Sequence, residues 1–165
     1  MTHHELCCLV AKKFFKRHFN VFGMRNTQYV AIELNTICRE IPDVFGFGGN
    51  YTQLFEVKMT HADFLNDKKK KWKNFSDGVG EYRTYVCPEG VIDESELPEK
   101  YGLLHYDEVN EWFWCKRKPE KQSDVDKQSE IQLILSIMRR ENIKPQIFDY
   151  RYTNKTIKNK YILKK

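Results

Sequence analysis

Residues 42–58 read PDVFGFGGNYTQLFEVK. Two runs rich in aromatic and branched residues, Val44–Phe47 and Thr52–Met59, flank Gly48-Gly49-Asn50, so the stretch reads as strand, turn and strand. Strand side chains alternate in direction. Glu56 and Lys58 therefore share one face, while Phe55, Val57 and Met59 turn to the other, toward a core. Asp43 stands thirteen positions before Glu56, across the glycine-rich turn. That spacing suits a hairpin that brings the two carboxylates together.

Working outward, Leu6, Leu9, Val10, Phe14 and Phe15 keep helical spacing and predict an amphipathic helix over Glu5–Phe19, ended by Phe22-Gly23. Gln28–Leu34 reads as a strand. After the hairpin, His61–Phe75 reads as a lysine-rich helix that ends near Gly78. Tyr82–Cys87 reads as a strand stopped by Pro88, with further strands at Gly102–Tyr106 and Glu111–Lys116. Trp112 and Trp114 fall on one face of the last strand and are read as core rather than as platforms for bases. Lys116–Asp124 is a polar loop. Val125–Glu141, carrying Ile131, Ile134, Leu135 and Met138, is the final helix. Strand Thr52–Met59, helix and strand Tyr82–Cys87 form a β-α-β unit, whose crossover makes the strands parallel. The expected fold is α/β: a mixed sheet flanked by helices in three layers.

The length of 165 residues suits one domain, which at that size buries roughly two thirds of its unfolded surface. Residues 1–143 are expected to form it. Residues 144–165 read as a basic tail, with Lys144, Arg151, Lys155, Lys158, Lys160, Lys164 and Lys165 against Asp149 alone. The net charge of +5 thus sits largely in that tail, and Lys68-Lys69-Lys70-Lys71 with Lys73 make a second cluster in a nearly neutral body. Basic patches of this kind point to a polyanionic partner. No apolar run approaches the ~20 residues of a membrane span. The start, Met1-Thr2-His3-His4-Glu5, lacks the layout of a secretion signal, so the expected compartment is cytoplasmic. Five cysteines, an odd count without a C-x-x-C pair, argue against a disulfide framework or a cysteine-rich zinc site.

Two convergent carboxylates offer hard oxygen donors to Mg²⁺, which keeps most of its waters, and the Val57 carbonyl is a further candidate ligand. Lys58 beside them can orient the attacking water and offset charge that develops on a phosphate. Neither role is needed for folding. The plain alternative is a solvated strand face, since Glu and Lys two apart on a strand are common.

Pro42-Asp43 followed by Glu56-Val57-Lys58 resembles the motif of the PD-(D/E)XK nuclease superfamily, whose fold is restriction-endonuclease-like. Residues 29–106 are closest to its MmcB-like DNA-repair proteins. The likeness runs through Phe55–Lys68 (FEVKMTHADFLNDK), Trp72, Tyr82–Val86, Pro88-Glu89-Gly90-Val91-Ile92, Leu97-Pro98 and Gly102-Leu103-Leu104. Trp72 is displaced by the extra lysines, and the region after Trp114 matches nothing in the pattern. The resemblance implies a Mg²⁺-dependent DNA endonuclease, with Mn²⁺ able to substitute, in repair or processing of DNA. Asp43 and Glu56 would bind the metal, Lys58 would be catalytic, and a homodimer is a common arrangement. The superfamily often adds an acid from the first helix. Glu5, at the start of that helix, and Glu33, in the strand before Pro42, are the two contenders, and the sequence does not separate them.

Around this core, Asp63 reads as a helix cap and Asp67 as the partner of a lysine. Lys68, Lys69, Lys70, Lys71 and Lys73 are a solvated face by themselves and a phosphate-contacting surface if they flank a metal site. His61, three residues after Lys58, reads as structural. His3 and His4 read as a disordered terminus, although a terminal histidine near Glu5 could approach the metal. The competing functional readings are a non-catalytic nucleic-acid-binding accessory and a protein-interaction module on the same fold.

Overall fold

The computed structural model describes residues 1–15, 27–35, 40–69 and 78–143. Lys70, Lys71, Lys73, Trp72 and the basic tail 144–165 lie outside these residues, as does the side chain of Lys68. The elements run α1 (His3–Phe15), β1 (Tyr29–Ile32), β2 (Val44–Phe47), β3 (Thr52–Val57), α2 (His61–Lys68), β4 (Tyr82–Pro88), β5 (Gly102–Asp107), β6 (Trp112–Arg117) and α3 (Lys127–Arg140). The six strands form one sheet in chain order. β1, β2 and β3 are antiparallel neighbours, β3, β4 and β5 are parallel, and β6 returns antiparallel to β5. The expected mixed α/β sheet, its hairpin and its parallel crossover are all present.

Strand alternation sorts the core into two layers. Val44, Phe55, Val57, Val86, Leu104, Tyr106 and Phe113 meet Leu6, Cys7, Val10 and Phe14 of α1 on one face. On the other face Tyr85, Cys87 and Leu103 pack with Phe64 of α2, and Phe45, Phe47 and Leu54 pack with Leu133 of α3. Each such side chain contributes roughly 1.5–3 kcal/mol on burial. No helix among the described residues is long and apolar enough to cross a membrane.

Two expectations are corrected here, those for Trp112 and Trp114 and for His3 and His4, and the final helix, present as expected, turns a polar face inward. Trp112 and Trp114 are exposed; Phe113 between them takes the core position, because one flank of this edge strand faces outward. Lys13 Nζ sits 4.0 Å from the Trp112 ring centre. In α3 the buried residues are Glu130, Leu133 and Ser136, while Ile131, Ile134, Leu135 and Met138 are exposed. A polar clasp sets that orientation: Glu130 Oε1 accepts from Thr52 Oγ1 at 2.6 Å and from Gly80 N–H at 2.9 Å. Gly80 has φ +92° and its Cα lies against Leu54, so the tight approach requires glycine. Finally, His3 and His4 are not a loose terminus but the first turn of α1.

Candidate metal centre

The site is built at one end of the β2–β3 hairpin. Val44 pairs with Phe55, so one step further Asp43 stands opposite Glu56. Backbone Glu33 N–H donates to Asp43 O at 2.8 Å, which extends the β1–β2 ladder by one position. The register therefore lines Glu33, Asp43 and Glu56 across three adjacent strands, and Glu56 continues it to Tyr85 on β4. Asp43 is also tied to β3 directly: Val57 N–H donates to its Oδ2 at 2.8 Å.

Glu56 and Lys58 share a face as the two-residue period requires, with Val57 buried on the other. Lys58 Nζ lies 2.9 Å from Glu56 Oε2, 3.7 Å from Asp43 Oδ2 and 3.7 Å from Asp67 Oδ1. One ammonium thus faces three carboxylates. Burial pulls the Lys58 pKa down, but Glu56 and Asp43 outweigh it and hold the ammonium above its ordinary value. Asp43 goes the other way from most paired acids: burial, and then the charge of Glu56, raise it despite Lys58 and the Val57 N–H. Lys58 is only 8% exposed, so deleting its charge would take a partner from buried carboxylates, a cost to folding that the expectation from sequence did not include.

β3 ends at Val57, and Thr60 then caps α2, its Oγ1 accepting from Asp63 N–H at 3.2 Å. The cap is thus Thr60, not Asp63. The short connection places Asp63, Asn66 and Asp67, at helical i, i+3, i+4 spacing, beside the end of β3. With His3, Asp43, Val57 and Lys58 they line an open cleft of about 370 Å³. Asp67 does pair with a lysine as expected, but the lysine is Lys58, which brings Asp67 into the site; Tyr85 Oη also donates to it at 3.0 Å.

The two contenders for a further acid separate. Glu5 turns back on its own helix terminus, accepting from Thr2 N–H at 2.6 Å and Thr2 Oγ1 at 3.0 Å, and it does not line the cleft. Those bonds to Thr2 hold its carboxyl below the ordinary value. Glu33 follows Asp43 in the register, but its carboxylate meets His3 Nδ1 at 3.5 Å and His4 Nδ1 at 2.9 Å. From α1 it is His3 that reaches the cleft, with Nε2 3.5 Å from Asp43 Oδ2. His61 pairs with Glu96 at 2.8 Å, away from the cleft. Lys69 is exposed at the end of α2. His3 and Asp67 are the residues that the sequence undervalued. Asp63 and Asp67, four apart on the helix after the Glu-Val-Lys strand, were the available signal for the second.

Among the described residues, Asp43, Glu56 and Asp67 gather around the Lys58 ammonium, and every donor atom they offer is a carboxylate oxygen. A hard divalent cation fits that donor set.

No family model matches the chain, and no curated protein matches it. Among solved structures it is similar to a protein of unknown function from Silicibacter pomeroyi, with a TM-score of 0.51 and 19% identity over 68% of this chain and 76% of that one. At that identity the likeness concerns the fold alone, and it agrees with the mixed sheet flanked by helices.

Proposed function

We propose that the chain is a Mg²⁺-dependent DNA nuclease of the PD-(D/E)XK type, which hydrolyses phosphodiester bonds. The observation that carries this reading is the convergence of Asp43 and Glu56 on Lys58 at the mouth of an open cleft. A solvated strand face would leave Glu56 and Lys58 exposed; they are 5% and 8% exposed.

Asp43, Glu56 and the Val57 carbonyl would hold Mg²⁺, or Mn²⁺ in its place. The ion would supply positive charge to the phosphate and lower the pKa of a water. The chain's own residues do the rest. Lys58 directs one N–H toward Glu56 and has two more for the attacking water and a phosphate oxygen. Its raised pKa keeps it charged throughout the working range. As water adds to phosphorus, giving up a proton to solvent, and the deoxyribose oxygen leaves and takes one from solvent, charge grows on the phosphate oxygens, and the ammonium opposes it at a fixed position without having to reorganise. Tyr85 and Lys58 steady Asp67 at the wall of the cleft. Lys68, Lys69, Lys70, Lys71, Lys73 and the tail 144–165 would contact the backbone of DNA, which supplies affinity without reading sequence.

The test incubates the full chain with labelled duplex, branched and single-stranded DNA in Mg²⁺, Mn²⁺ and EDTA, beside Asp43→Asn. The reading expects cleavage in either metal and none in EDTA or in the variant. A chain that shifts DNA in a gel yet cuts none of these substrates would be a non-catalytic binder instead.

A further inference from the structure

The first turns of α1 carry two histidine–cysteine pairs, His3 with Cys7 and His4 with Cys8. Residues four apart on a helix stand on one row. Accordingly Cys7 Sγ lies 3.7 Å from His3 Nδ1, and Cys8 Sγ lies 3.6 Å from His4 Nε2. Glu33 faces the His3 row through Oε1 and the His4 row through Oε2. It does so from a left-handed backbone conformation, φ +46°, directly after β1, which few residues other than glycine adopt.

These donors differ in kind from those of the cleft. Imidazole, thiol and carboxylate together suit a borderline-soft cation rather than Mg²⁺. We propose that His3 Nδ1, Cys7 Sγ and the Glu33 carboxylate bind a divalent transition-metal ion of the Zn²⁺ class, with its fourth position open to water. The three ligand atoms all lie within 4.8 Å of one another. Two ligands on one tetrahedral ion, with bonds of about 2.0–2.3 Å, stand roughly 3.3–3.6 Å apart. His3 to Glu33, at 3.5 Å, falls within that range, and His3 to Cys7, at 3.7 Å, lies just above it.

A separate feature points to Nδ1 as the ligating atom. The other ring nitrogen, Nε2, faces Asp43 Oδ2 at 3.5 Å. A metal-bound histidine characteristically donates its remaining N–H to a carboxylate, which fixes the tautomer and the ring. Asp43 occupies that position. Burial pushes the Cys7 thiol up to about 12, so it is neutral in the free protein; on coordination its proton leaves to solvent and sulfur binds as thiolate. His3 and Glu33 are both partly exposed, which leaves a route for the ion and the water. The ion would fasten the start of α1 to the end of β1. The site adjoins the cleft through His3 and Asp43, but it does not require the chain to be a nuclease.

Co²⁺ is the probe, added to the reduced, metal-free full chain without DNA. The proposal expects a thiolate-to-cobalt charge-transfer band and the intense visible bands of a tetrahedral ion. Zn²⁺ should bleach both, and excess Mg²⁺ should leave them. Cys7→Ser should lose the charge-transfer band and Cys8→Ser should keep it. His3→Gln, at a partly exposed position where folding is not at stake, should weaken Co²⁺ binding at least ~10-fold, the lower end of what even an outer partner of a metal ligand costs. Absence of a thiolate band overturns the proposal. So does a band that survives Cys7→Ser, or one lost only in Cys8→Ser, which would move the ion to the His4 row. Because no DNA is present, failure here leaves the nuclease reading to its own assay.

Discussion

Lys58 Nζ sits 2.9 Å from Glu56 Oε2, two residues back on the same strand, with both side chains less than a tenth exposed. A pair this close on one strand face holds two residues in a fixed geometry without long-range packing. The strand period aligns them, and Asp43 and Asp67 then arrive from the neighbouring strand and from α2. The ammonium is therefore the common partner of three acids, and removing it should separate what it does for chemistry from what it does for the fold.

Lys58→Met keeps most of the apolar stem and deletes the charge. Cleavage should fall at least ~100-fold, the scale for losing one preorganised stabiliser of developing charge. Stability should fall too, by about 3–5 kcal/mol, as expected when one partner of a buried ion pair is removed. Added Mg²⁺ should recover part of that loss by supplying positive charge to the same carboxylates. Urea unfolding with and without Mg²⁺, beside a cleavage time course, reads both. Wild-type cleavage in this variant would sink the role given to Lys58.

Asp43→Asn should stabilise the protein near neutral pH while abolishing cleavage. Burial first, and then Glu56, raise the Asp43 carboxyl above its ordinary value in the folded state. The native state thus binds that proton more tightly than the unfolded chain does. Ionised Asp43 costs stability at neutral pH, and the cost is relieved as pH falls through the raised pKa toward the unfolded value of about 4. Asparagine carries no such charge and can still accept from Val57 N–H. Melting curves across that range should show the variant above wild type at neutral pH, with the gap closing on acidification. A variant less stable at every pH would mean that the ion pair with Lys58 outweighs the burial.

The parts legible in the sequence were those set by local rules. The two-residue period put Glu56 and Lys58 on one face, Gly48-Gly49-Asn50 marked the hairpin, and the helix between two strands implied the parallel crossover. What escaped depended on packing between distant elements. His3 reaches Asp43 only because Leu6, Cys7, Val10 and Phe14 dock α1 across the sheet. The outward turn of Ile131, Ile134, Leu135 and Met138 follows from the clasp of Glu130 on Thr52 and Gly80, far away in the chain. Trp112 and Trp114 looked apolar enough for a core, but β6 is an edge strand and buries Phe113 instead. Glu40, buried against Arg83 at 3.1 Å, gave no sequence signal.

Glu5→Gln should leave metal-dependent cleavage unchanged. Its carboxylate is spent on Thr2 at the start of α1, and it takes no part in lining the cleft. Cleavage rates at saturating and limiting Mg²⁺ would check this. A metal requirement that rises in the variant would return Glu5 to the site as the first-helix acid that the resemblance implies.

Tyr85→Phe isolates one hydrogen bond to the wall of the site. The Tyr85 ring is fully buried, edge-on to Phe64 at 5.1 Å and stacked on Tyr101 at 5.4 Å, and phenylalanine preserves both contacts. What is lost is the hydroxyl that donates to Asp67 Oδ2 at 3.0 Å. Burial raises the Tyr85 pKa far above its ordinary value, so the group is a donor at every working pH. Taking a donor from a buried carboxylate leaves part of its desolvation uncompensated, at a cost of about 1–3 kcal/mol. The urea midpoint should drop accordingly with an unchanged slope, since the surface exposed on unfolding is the same. Cleavage should fall less than in Lys58→Met, because Lys58 keeps Glu56 and Asp43 as partners. A variant as stable as wild type would show that Asp67 is held by Lys58 and the rest of its surroundings without the hydroxyl.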